Sequence, residues 1–136
     1  TEQSLGDGAD PATTYDMSTG NGAVFWVPCL FPIRTNMTVD ACNVYFSSYS
    51  SSDATLNFHI MSYAIVVDNG GTSGDLSDGV VVADSTTQAV DRTSIDFLNL
   101  TIRSADVDAS RILIATVEST ATDGVSVNMT LKYHIR

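Results

Sequence analysis

Apolar and polar residues alternate along much of this chain, and the alternation is clearest at its C-terminal end. There Val125, Val127, Met129, Leu131, Tyr133 and Ile135 are interleaved with Ser126, Asn128, Thr130, Lys132, His134 and Arg136. Successive side chains of a β-strand point to opposite faces, so this pattern predicts a strand with one apolar and one polar face. Thr55 to Val67 repeats the pattern: Leu56, Phe58, Ile60, Ala64 and Val66 are expected inward and Asn57, His59, Met61 and Tyr63 on the other face. The second half of that run is apolar on both faces, which predicts a strand covered by the core on one side and partly by a loop or partner on the other.

Further strands are predicted at Ala23 to Val27, Ala41 to Ser47, Val80 to Ala83, Ser94 to Ile102 and Ile112 to Glu118. Between them lie Ser-, Asp-, Asn- and Gly-rich stretches, such as Ser47 to Asp53, Asp68 to Gly79 and Asp123-Gly124, whose residues suit turn geometry. No window carries a 3.6-residue period, and only Ser104 to Arg111 could hold a helical turn. Seven or eight strands at this spacing predict an all-β, antiparallel β-sandwich of the jelly-roll kind over residues 22–136. Residues 1–21, with Leu5, Tyr15 and Met17 as their only large apolar side chains, cannot form a core and are expected as an extended N-terminal arm.

A chain of 136 residues is long enough to bury a sizeable core without a metal or disulfide staple. The longest apolar stretch, Ala23 to Ile33, is broken by Pro28 and Pro32 and falls well short of the ~20 residues of a membrane-spanning helix, so no membrane role is expected. The opening Thr1-Glu2-Gln3-Ser4 does not have the charged start and apolar run of a signal peptide. Sixteen acids against six bases give a net charge of −10, and Lys132 is the only lysine. Such a surface repels phosphate backbones, which argues against nucleic-acid binding. Most of the acids are aspartates in turn-like segments, where a short carboxylate can bond the local backbone.

Residues capable of chemistry are few and scattered. Cys29 and Cys42 would face each other if the chain reversed in a two-residue hairpin between Arg34 and Met37. Thr35-Asn36 is not a favoured turn pair, however, and free buried cysteine is the commoner state inside cells, so both possibilities stay open. His59 and His134 fall on polar strand faces and are expected as isolated surface imidazoles, too few for a zinc site with three protein ligands. No G-x-S-x-G elbow occurs. Asp106 and Asp108 share one strand-like face, whereas a glycosidase sets its two acids across a cleft. The Asp68, Asn69, Asp75 and Asp78 segment has calcium-binding chemistry without EF-hand order, and is expected as a solvated loop. Catalytic residues, metal sites and cofactors are therefore not expected. The sequons at Asn36, Asn99 and Asn128 match what chance produces in a chain rich in Asn and Thr, and two of them sit in predicted strands. Trp26, Tyr45, Tyr49 and Tyr63 are the aromatic candidates for a sugar-stacking platform.

Taken together, these residues resemble the β-sandwich modules of tailed-phage virions, the head-decoration, fibre and appendage proteins. The likeness runs through Phe25-Trp26-Val27-Pro28, the strand and acidic loop from Ile60 to Asp78, and Val80-Val81-Val82-Ala83-Asp84. It continues through Thr93 to Thr101, through Asp106-x-Asp108 leading into Ile112 to Glu118, and ends at Leu131-Lys132-Tyr133-His134. The resemblance implies a non-enzymatic capsid decoration (cement) protein on the virion surface, with the major capsid protein or other virion proteins as partners. It also implies a homo-oligomer, with a trimer favoured. The alternatives are a receptor- or carbohydrate-binding fibre tip and a secreted surface-layer module of a salt-adapted microbe.

Overall fold

The computed structural model describes residues 30–48, 55–65, 76–89, 94–119 and 125–136, and these are all-β with no helix. The expected arm, 1–21, and the predicted strand Ala23 to Val27 lie outside the described residues. The longer strands are β2 (Met37–Ser48), β3 (Thr55–Ile65), β4 (Leu76–Asp84), β6 (Asp96–Asn99), β9 (Arg111–Ser119) and β10 (Val125–Ile135). Four short segments complete them: β1 (Leu30–Pro32), β5 (Gln88–Ala89), β7 (Thr101–Ile102) and β8 (Asp106–Val107).

All pairings are antiparallel and fall into two sheets. The larger has the order β1-β9-β3-β4-β7, with β5 also on β3, and the smaller has the order β10-β2-β6, with β8 also on β2. Their apolar faces enclose one core, a sandwich-like arrangement in which Val44, Phe46, Leu56, Phe58 and Val82 are almost fully buried. The rings of Phe46 from the smaller sheet and Phe58 from the larger lie 4.9 Å apart and tie the two together.

Several strands differ from the sequence expectation, each for a local reason. The single run predicted from Ser94 to Ile102 is divided between the sheets, because the chain crosses at Leu100: β6 pairs with β2 and β7 with β4. Leu100 is buried in the core, and its N–H donates to the Cys42 carbonyl at 2.9 Å, so the crossing leaves no orphaned amide. Ser104 to Arg111 holds no helical turn. Instead β8 joins β2, and a turn at Ala109-Ser110 follows, with Ser110 at a φ of 70°. A hairpin at Arg34 to Met37 is also absent: β1 pairs with β9 in one sheet and β2 with β10 in the other.

A second apolar cluster, Met61, Tyr63, Leu76, Ile112 and Ile114, occupies the opposite face of the larger sheet. β3 is thus buried on both faces, as its doubly apolar second half predicts. Bulges between Ile60 and Met61 and between Ser62 and Ala64 bend β4 against it. At the second bulge Asp78 adopts a φ of 50°, a left-handed geometry that Asp tolerates better than most residues. Arg111 spans this irregularity. Its Nε donates to Ser62 Oγ, and its Nη2 donates to the carbonyls of Ser62 and Asp78. Hydrogen bonds to a charged donor contribute about 1.5–3 kcal/mol net, so Arg111→Met should lower the unfolding free energy by that amount in urea titrations. Arg111→Lys should recover only part of it, because an ammonium lacks the guanidinium fork.

Candidate binding face

Beyond Asp40 the side chains of β2 change sides. The pairing with β10 runs Lys132 to Ala41 and then Tyr133 to Val39, which leaves Asp40 as the extra residue of a bulge. Before it Met37 and Val39 point into the core, and after it Cys42, Val44 and Phe46 do so. Asn43, Tyr45 and Ser47 consequently face outward. The same register places Phe97 of β6 on one side of Tyr45 and Asn128 of β10 on the other. Asn99 and Thr130 flank Asn43 in the same way.

The result is an outer face with an aromatic centre. The Tyr45 and Phe97 rings lie 4.8 Å apart at a tilt of 49°, and each is half exposed. Ile95, at the approach to β6, is 76% exposed beside them in sequence. Around the rings stand Asn43, Asn99, Asn128, Thr130, Ser126 and Ser47, and along the outward rows from Asn43 to Ser47, Ile95 to Asn99 and Ser126 to Lys132 the only charged side chain is Lys132. On a chain of net charge −10 a patch without acids is unusual, and the charges of this sheet's outer side, Asp40, His134 and Asp106, gather beyond Lys132 at its other end. Half-exposed rings amid neutral hydrogen-bonding groups are the composition of a contact surface, where charge is depleted and aromatics are enriched.

The other sequence candidates are dispersed. Tyr63 is buried in the second cluster, Trp26 and Tyr49 lie outside the described residues, and Tyr45 is the candidate among the described residues that stands on this face. Phe97, its partner, was hidden in the sequence within a run that reads as one strand. His59 is not a surface imidazole: it is 4% exposed, on the doubly buried strand β3 and across from the buried Thr116. Polarity misled there because the face it occupies is itself covered. His134 is exposed, and its Nδ1 sits 3.0 Å from Asp40, the bulge residue. The two histidines stand on different sheets. Asp106 accepts a hydrogen bond from Thr38 at 2.7 Å, and Arg136 pairs with both Asp106 and Asp108. Asp78 belongs to β4, whereas Asp68, Asn69 and Asp75 lie outside the described residues. Among the described residues no group of three or more His, Cys, Asp or Glu side chains is placed to hold a metal ion, and no helix is long and apolar enough to cross a membrane. Of the sequon asparagines, Asn36 accepts from the Ala109 N–H at 2.7 Å, while Asn99 and Asn128 stand exposed on the outer face.

Cys42 carries a free thiol and is 1% exposed in the core, and Cys29 lies outside the described residues. Burial pushes the Cys42 thiol up from 9.0 to about 11, because a thiolate is poorly solvated there. Such a thiol is a poor nucleophile. In a Cys29→Ser background it should resist a thiol reagent at pH 8 and react fully in denaturant. The folded state holds its proton to higher pH than the unfolded state does. This contribution to stability is therefore complete below pH 9 and is lost as pH rises towards about 11. Thermal melts over that window, compared with Cys42→Ala, should show the steeper decline in the protein that retains the thiol.

Comparison with known proteins yields no match: no family model, no curated protein and no solved structure is similar to this chain.

Proposed function

We propose that this chain is a non-enzymatic virion structural protein, a decoration or cement protein that binds the outside of a viral shell. The observation that carries the reading is the acid-free patch around Tyr45 and Phe97 on the outer face of the smaller sheet, within a strongly acidic chain. Apolar contact at this face supplies adhesion, while the surrounding negative charge keeps the free protein soluble and discourages non-specific attachment. Its partner is the major capsid protein or another shell component, and repeated copies on a symmetric shell strengthen individually weak contacts. Residues 1–21 serve in this reading as an arm laid on neighbouring subunits, and residues 22–136 as a jelly-roll-like sandwich.

A second reading, a carbohydrate- or receptor-binding fibre tip, is favoured by one feature: the three amides of Asn43, Asn99 and Asn128 around the ring pair. Rings stack on the apolar side of a sugar while amides bond its hydroxyls. Two measurements separate the readings. A cement protein co-sediments with intact particles, occupies a fixed site in their reconstruction and shows no selectivity on a glycan array. Selective glycan binding without particle association would replace the first reading with the second.

A further inference from the structure

The smaller sheet ends on an unusually long edge. β10 runs for eleven residues, Val125–Ile135, and among the described residues only β2 pairs with it, along one side. Natural edge strands are blunted by proline, short length, bulges or inward-pointing charge. β10 contains no proline or glycine, and its inward row is wholly apolar. The bulge at Lys132/Tyr133 takes its extra residue from β2, so β10 itself stays regular. Lys132, facing outward, is the only guard of the usual type.

The inward row is also incompletely buried by its own core. Val125, Val127, Met129 and Leu131 are only partly covered, Tyr133 is 44% exposed and Ile135 is 65% exposed. Phe31 of β1, itself exposed, touches Tyr133 with ring centroids 6.2 Å apart but does not cover it. Apolar surface along a sheet edge that no other described strand covers is the geometry of strand addition.

We infer that two copies of this chain pair through the outer edges of their β10 strands, antiparallel about a two-fold axis at Thr130. The strand pattern selects both the occupant and the register. Strict alternation means that antiparallel pairing of β10 with itself, odd residues opposite odd, keeps every apolar side chain on the core side of the joined sheet. Centring on Thr130 is the register that uses the whole strand. It sets Tyr133 opposite Val127 and Ile135 opposite Val125, so the exposed end of one strand meets the half-buried end of the other. It sets Lys132 opposite Asn128 and His134 opposite Ser126, with no like charges facing. Centring on Lys132 would oppose two ammonium groups. The chain's acidic segments have no such apolar row to offer, and the predicted strand Ala23 to Val27, outside the described residues, has five residues against the eleven of β10. An antiparallel edge-to-edge contact is self-complementary and closes at two copies, in place of the trimer that the phage resemblance implies. This inference does not rest on the proposed function.

Light scattering and sedimentation of the full chain, from micromolar to several hundred micromolar, test it. The expected result is a reversible species of twice the 14.5 kDa chain mass. Asn128→Lys should weaken the association at least about tenfold, because it opposes two lysines twice across the axis. Asn128→Asp should strengthen it, most at low salt, by pairing with the partner's Lys132. Adding Lys132→Glu to Asn128→Lys should restore the dimer. Both positions are exposed, so circular dichroism of the monomer should not change; if Asn128→Lys fails to fold, Asn128→Asp and its salt dependence decide the matter. A monomer at every concentration, a trimer, or a dimer indifferent to charge at position 128 would overturn the inference.

Discussion

Replacing Phe58 by alanine should lower the unfolding free energy by about 3–5 kcal/mol, the range measured for truncating a fully buried aromatic residue. Phe58 is 0% exposed and packs against Phe46 across the gap between the sheets. The loss has two parts: apolar surface no longer removed from water, and a cavity that Val44, Leu56 and Val82 cannot collapse to fill because the strands carrying them are fixed by their ladders. Against a total stability of about 5–15 kcal/mol for a domain, this change removes a large share. Phe58→Leu should cost less than half as much, since it keeps most of the volume. Urea titrations give the comparison, with Phe97→Ala as control: that ring is half exposed, so its removal should cost no more than about 1 kcal/mol. Equal midpoint shifts for Phe58→Ala and Phe97→Ala would contradict a core enclosed between the two sheets.

The control for stability is the test for binding. Under the proposed function, Tyr45→Ala and Phe97→Ala should each weaken attachment to the shell by about 2 kcal/mol or more, roughly a thirtyfold loss of affinity per ring. Their combination should fall short of the sum, because the rings touch and each positions the other. Lys132→Ala, at the rim of the same face, should alter mainly the salt dependence and the association rate. Particle occupancy measured by co-sedimentation decides between these outcomes. Unchanged occupancy in the double variant, with the fold intact, would remove the face from the function.

The two ring pairs show how position within one architecture sets a residue's work. Phe46 and Tyr45 are neighbours on β2, and their partners Phe58 and Phe97 come from different sheets. One pair is buried between the layers and holds them together. The other is left on the outside, where neutral side chains surround it.

What the sequence determined by itself is the strand chemistry. Period-two alternation in β10 and in the first half of β3 is a local property, since it follows from the pleat, and both strands lie where the pattern places them. The doubly apolar second half of β3 likewise foretold burial on two faces. Only the tertiary structure decided which residues meet. The bulge at Asp40 turned Tyr45 outward, the crossing at Leu100 brought Phe97 beside it, and the covering of the far face of β3 buried His59. Bulges, crossings and covered faces depend on contacts between residues far apart in the chain, and alternation of polarity carries no record of them.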